Sequence, residues 1–252
     1  MTDTSFPAIL ARWPSSLFVG VVLLAGCQPL APREAPALAH KPAATEFAPL
    51  PPPPPLPVEG STHFVVAGAK SDVRILVARG GPLAKVGHSH AVRARELSGD
   101  IYLAPEFHRS GFALTFPVLA LHVDPADARN DEGEEFAVIP SPQAIDATFK
   151  NMIGPEVLDA KQFPEITLRS VALTGPTWGP EATVRVTLHG VERHLIVPLA
   201  VHSEGEEIII TGLMQVRTSD FGMTPFSVLG GGLKVLDEVK IRFRIVALRT
   251  TE

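Results

Sequence analysis

One cysteine in 252 residues rules out any intramolecular disulfide, so packing and hydrogen bonds must hold this chain together. Aromatic residues are scarce, at 6% with a single Tyr, which removes the stacking platforms that usually grip nucleic-acid bases. Basic side chains are outnumbered, 22 against 27 acidic, for a net charge of −5. With no basic stripe, nucleic acid is a poor partner. The apolar run Leu17–Ala25 is too short to span a bilayer and has the length of a signal-peptide core.

That run leads into Leu24-Ala25-Gly26-Cys27, which resembles the lipobox of bacterial lipoproteins. The resemblance implies a signal peptide over 1–26 and acyl chains on Cys27. Cleavage there removes Asp3 and Arg12 together, so the mature chain keeps its charge of −5. Each buried methylene contributes roughly 0.8 kcal/mol, so several chains anchor a protein durably. By resemblance to lipoprotein sorting in enteric bacteria, Gln28 rather than Asp after the cysteine implies the outer membrane, facing the periplasm.

Residues 27–60 form a Pro/Ala-rich linker in which Pro51–Pro55 is unbroken. Proline fixes φ and removes the backbone donor, so neither helix nor sheet propagates. A spacer is expected there, at about 3.1 Å per residue in polyproline form.

From 61 to 252 the pattern changes to alternation. Val184, Val186 and Leu188 fall on one face of a strand, with Arg185, Thr187 and His189 on the other. Val239, Ile241, Phe243 and Ile245 alternate with Lys240, Arg242 and Arg244. A period of two marks antiparallel strands with one dry face. Between those two segments lie the strands HLIVPLAV at 194–201 and EIIITGLMQV at 207–216. Further strands are expected at His63–Gly68, Asp72–Arg79, Leu97–Leu103, Phe112–Val123 and Ile166–Leu173, with a short one through Val86–Val92. Ser141-Pro142 is an N-cap and first helical residue, opening a helix whose Ile145, Phe149, Met152 and Ile153 cover one barrel end. The acidic patch Asp131–Glu135 reads as a solvated loop. The fold class is therefore all-β: a lipocalin-like antiparallel barrel of about eight strands with a small helical insertion.

Inward candidates are Val73, Ile75, Val77, Phe112, Leu114, Phe116, Val184, Val186, Leu188, Leu195, Val197, Leu199, Ile241, Phe243 and Ile245. Eight strands leave room for side chains alone or for one small ligand. The same apolar positions suit a packed core equally well.

Four ordered segments carry a family resemblance: LDAKQFPEITLRS at 158–170, TLHGVER at 187–193, SDFGMTPF at 219–226 and KVLDEVKI at 234–241. Together they resemble the YceI-like family of bacterial envelope proteins, and LSGDIYL at 97–103 resembles its F-x-G-x-I strand. The family's R-x-x-H-L element has no counterpart; Arg129 and the acidic loop stand there instead. The resemblance implies a barrel whose apolar interior holds a polyisoprenoid, a quinone-like or a fatty amphiphile. It implies no cofactor beyond that guest.

His88 and His90, two apart on an extended chain, can face one ion, with His122, His189 or His194 completing a site. Polar contacts at the barrel mouth use the same pair equally well, and no metal is assigned. His189-Gly190 reads as a hairpin tip, and Asp237 as a loop-fixing side chain. No nucleophile elbow, phosphate loop or carboxylate pair is present, so no enzyme is read. Three functions follow: an envelope-anchored carrier of an apolar amphiphile, a structural or adaptor lipoprotein with a packed barrel, and a metal-associated protein using His88 and His90.

Overall fold

Twelve strands and two short helices follow one another in the computed structural model, which describes residues 49–251. The strands are β1 Thr62–Val66, β2 Asp72–Gly80, β3 His90–Ala94, β4 Ser98–Leu103, β5 Gly111–Pro117 and β6 Leu121–Val123. Helices α1 Ala126–Arg129 and α2 Pro142–Met152 intervene. They are followed by β7 Glu165–Thr174, β8 Glu181–Leu188, β9 Val191–Glu204, β10 Glu207–Arg217, β11 Ser227–Val228 and β12 Leu233–Arg249. Cys27, the apolar run before it and the linker up to residue 48 lie outside the described residues.

All pairings are antiparallel. The order β1-β4-β5-β7-β8-β9-β10-β12 closes on itself because β12 also pairs β1, with Phe64 opposite Arg249 and Val66 opposite Ala247. The expected eight-stranded barrel is thus what the chain forms. Three of its walls are broken strands. The first half of β12 pairs β2, from Lys234–Gly80 to Arg244–Asp72, while its last residues pair β1. β1 and β2 are therefore one strand interrupted at Ala67–Ser71, and β3/β4 and β5/β6 are interrupted in the same way.

The stretch expected as one strand over Phe112–Val123 is in fact two. Pro117 lacks an N–H, the chain makes a 3-10 turn at Val118–Ala120, and Val118 N donates to Pro164 O at 2.8 Å. The strand expected through Val86–Val92 starts only at His90, after a second 3-10 turn at Ala84–Val86.

Local sequence explains the corners. In β4, Gly99 has φ +149, and a Cβ there would overlap the Ala113 carbonyl of β5. The glycine of that motif is therefore required by close backbone approach. His189 and Gly190 take φ 53 and 71, the left-handed pair of a tight hairpin turn, as the sequence predicts. His189 Nδ1 lies 3.1 Å from Phe221 O, and its ring stands edge-on to Phe163. Ser141 caps α2, its Oγ accepting from Ala144 N at 3.2 Å. Ile145, Phe149, Met152 and Ile153 pack on the core from that helix.

Two charged regions depart from expectation. Within the acidic patch, Glu132 is 5% exposed, accepting from Arg74 at 3.0 Å and pairing with Arg242 as well. Glu135 accepts from Ser89 Oγ at 2.7 Å. The loop is pinned by ion pairs to β2 and β12, so it is not simply solvated. Arg242 is thereby neutralised, while Arg244 donates to Lys70 O.

The proline run is the other correction. It belongs to the same compact unit as the barrel, Ala44–Glu252, and lies across the outer wall. Arg185 of β8 donates to Pro51 O, Arg169 of β7 donates to Pro54 O at 3.0 Å, and Leu56 and Pro57 sit beside Gly111 of β5. A polyproline segment offers carbonyl acceptors with no competing donors, and the two guanidiniums supply the donors. This explains why Arg185, on the outward face of its strand, is buried. Replacing Arg185 with Ala is expected to cost about 1–3 kcal/mol and to expose the chain before Thr62 to protease. A denaturant melt read beside limited proteolysis checks both.

Candidate functional site

Inside the barrel the apolar faces do not fill the space they enclose. A cavity of about 330 Å3 remains, enough for roughly a dozen water-sized atoms at about 30 Å3 each. Of the inward candidates, Val73, Ile75, Val77, Phe112, Leu114, Phe116, Val184, Val186, Leu188, Val197, Leu199, Ile241, Phe243 and Ile245 all line it. Leu195 packs on the core side chains of the same wall without bordering the void. Residues that sequence reading passed over also line it: Ile210, Met214 and Val216 of β10, Val92 of β3, and Met152 of α2. The signal for those strands was present, since each continues the alternation of its own strand. The helical contribution and that of Met223–Phe226 depend on how the ends are capped.

The cavity reaches the surface at one end. There β2 and β10 finish, β3 and β12 begin, and Phe226 both lines the void and is 42% exposed. Polar side chains gather at this end: His90, Thr148, Asn151, Thr218 and Thr224. His90 is the only titratable residue among those lining the cavity.

A buried network holds His90. Its Nδ1 lies 2.6 Å from Asp124 Oδ2, while Asp124 Oδ1 accepts from Ala91 N at 2.9 Å and from Arg129. Arg129 spends its remaining donors on the carbonyls of Phe136, Ser89 and Val138. Burial alone would raise the Asp124 carboxyl, but the His90 and Ala91 hydrogen bonds and the neighbouring positive charge outweigh it and hold it below the usual range. Asp124 is therefore a carboxylate, so His90 Nδ1 carries the proton and donates. The imidazole is fixed in orientation with Nε2 as its free atom. Asp124 sits at φ 52, a left-handed conformation that Asp tolerates better than most residues.

The His88 and His90 rings meet edge to face, with centroids 5.8 Å apart. Burial, then the proximity of His90, depresses the His88 imidazole. Among the described residues no group of three or more His, Cys, Asp or Glu side chains is placed to hold a metal ion. His122 pairs opposite Arg93, and His194 opposite Arg185, in other walls.

An eight-stranded closed barrel with a largely apolar lumen and a polar mouth defines a lipocalin-like class. A profile of the YceI-like domain matches residues 87–247, and the chain belongs to that family. Among solved structures, BcnA of Burkholderia cenocepacia is 20% identical, with a TM-score of 0.53 over 72% of this chain and 98% of its own. A polyisoprenoid-binding domain from Saccharophagus degradans, implicated in plant cell wall breakdown, is 11% identical, with a TM-score of 0.49 over 75% and 99%. The YceI protein of Campylobacter jejuni is 14% identical, with a TM-score of 0.45 over 64% and 85%. At these identities the likeness speaks for the fold alone. No curated protein matches.

Asp237 fixes the loop beside the mouth, in the role its sequence position suggests. It accepts from Thr218 Oγ1 at 2.8 Å, from Ser219 N at 2.8 Å and from Ser219 Oγ at 2.6 Å. Burial would raise this carboxyl, but the hydrogen bonds from Ser219, Thr218 and Arg217 bring it down to about 2. A depressed carboxyl stabilises the fold above its unfolded pKa of about 3.9 and loses that contribution as the pH falls through the folded value. The wild type is therefore expected to lose about 1–2 kcal/mol between pH 4 and pH 2 relative to Asp237→Asn, allowing for partial solvent screening. Denaturant melts of the two proteins across that range measure it.

Proposed function

We propose that this protein carries an apolar amphiphile in its barrel, with the chain in the lumen and the polar end at His90, while acylated Cys27 holds it in the cell envelope. The observation that supports this reading most directly is the unfilled apolar cavity with one orientated imidazole near its mouth. An isoprenoid or fatty chain segment of about a dozen carbons matches the volume. A hydroxyl is the head group that suits His90 best, because Nε2 accepts when the ring is neutral and donates when it is protonated, and a hydroxyl serves both. A cofactor has no place in this reading, and neither does nucleic acid.

A structural or adaptor role would call for a barrel packed shut, which the cavity disfavours. A metal-associated role would call for further ligands around His88 and His90, and His90 is already engaged by Asp124.

Native mass spectrometry and solvent extraction of the membrane-derived protein test the proposal, and the same spectra show whether Cys27 carries acyl chains. An apolar guest is expected in wild type. Val186→Trp, which fills the lumen at a modest overpacking cost of about 1–3 kcal/mol, is expected to lose it while remaining folded. Wild-type protein that yields no guest rejects the carrier. For the head-group contact, His90→Phe is expected to weaken a hydroxyl-ended isoprenoid about ten-fold, the worth of one hydrogen bond. A polyisoprene hydrocarbon of equal length should bind unchanged. Equal losses for both ligands would count against a polar contact at His90.

A further inference from the structure

Beyond the lumen, we infer a membrane-docking surface: the rim formed by the 80–90 loop and the β11–β12 hairpin inserts into a lipid surface. The two segments are interleaved. Leu83 N donates to Gly232 O at 2.8 Å, Val235 N donates to Phe226 O at 2.9 Å, and Leu233 packs where a side chain at Gly87 would stand. Together they expose Leu83, Val86, Phe226, Val228, Leu229 and Leu236, with Val86 at 73% and Leu229 at 74%. Single exposed apolar residues are ordinary, but several on two abutting loops form a patch that marks an interaction site.

Leu229 adds an independent observation. It holds φ 53 at the hairpin tip, next to three glycines, so a branched apolar residue sits in the left-handed region while facing solvent. Neither condition stabilises the barrel. Strain of this kind marks functional segments when the surrounding structure enforces it.

Two features point to a bilayer as the occupant. The rim is continuous with the lumen, since Phe226 and Val235 border the cavity. A lipid guest entering there comes from a membrane. The charges also fit: Lys85 and Lys234 flank the apolar tips, and no Asp or Glu lies within 80–90 or 222–236. Apolar side chains edged by lysines suit the interface of an anionic bilayer. At the far end of the barrel Trp178 is exposed at 73%, but no other large apolar side chain stands in its turn. If Cys27 is the anchor, the chain between it and Pro51 reaches about 80 Å when extended, so either barrel end can approach the bilayer.

The test uses the compact unit 44–252, which lacks Cys27 and contains the whole closed sheet and its core. Flotation with vesicles of phosphatidylcholine and phosphatidylglycerol is compared with pure phosphatidylcholine. Wild type and Trp178→Glu are expected to float with the anionic vesicles. The double variant Val86→Glu/Leu229→Glu is expected to lose at least ten-fold in bound fraction. Lumen occupancy is read by mass spectrometry on the same samples, because neither Val86 nor Leu229 lines the cavity. Loss of flotation with the guest retained supports the rim as a separate docking surface. Equal flotation of wild type and double variant overturns it, as does flotation lost only in Trp178→Glu or the absence of wild-type binding. A wild-type dimer dispersed by the double variant, without vesicle binding, would assign the rim to self-association instead. Absence of any guest in every sample bears on the carrier reading alone.

Discussion

Closure of the sheet along β12 is the constraint on which the molecule depends. One strand of 17 residues pairs β10 on one side and, on the other, first β2 and then β1. Closure joins the eight walls into a ring, with the short β6 left pairing β3 alone, and turns their dry faces toward a common axis. Eight walls can be filled by side chains alone or hold one small guest, and here the apolar side chains do not meet everywhere across the axis, so a lumen remains. A dry void of this volume forfeits packing contacts worth on the order of several kcal/mol. An apolar guest would restore those contacts better than water, which finds few hydrogen-bond partners along the apolar lumen.

The three broken walls do more than bend the sheet. Splitting β1/β2, β3/β4 and β5/β6 sets β2, β3 and β6 apart as a paired extension of the sheet beside β12, carrying His90 on β3 and Asp124 just after β6. Asp124 can reach both His90 and Arg129 because the chain turns through a left-handed residue there. Arg129 then ties this extension to the loop that follows, through the carbonyls of Phe136 and Val138. The position where the YceI-like R-x-x-H-L element has no counterpart is thus occupied by a buried arginine that organises the polar end of the lumen.

Much of this was legible along the chain, and the gaps have physical causes. Alternation in β8, β9 and β12 identifies the lumen wall because an inward residue must be apolar whether the barrel is open or shut. For the same reason alternation cannot reveal the void itself, which depends on closure. Arg185 and Glu132 look like solvated charges by position. Each is buried by a partner distant in sequence, the proline run in one case and Arg74 with Arg242 in the other. Tertiary pairing of that kind leaves no local period. The short helix α1 was hidden for a related reason: four residues cannot show helical spacing, and its Arg129 is stabilised by contacts outside the helix. His90 was visible as half of a pair with His88, yet its true partner, Asp124, lies 34 residues away.

The two ends of the barrel differ in a way that bears on how a guest would move. A lipid chain of about a dozen carbons leaving the lumen through water exposes methylenes at roughly 0.8 kcal/mol each, close to 10 kcal/mol in all. Exchange by that route would be very slow. Apposing the mouth to a bilayer removes the aqueous step, because each methylene passes from one apolar surroundings to another. An apolar, lysine-edged rim at the open end is the arrangement such transfer requires. The far end carries the β9–β10 hairpin, an exposed Trp178 and the exposed pair Val65 and Leu248, without a comparable run of apolar tips on abutting loops. In the proposed reading, a polar anchor at the mouth would hold the head group at the threshold, so that the chain would enter first and the polar end would stay out of the apolar interior.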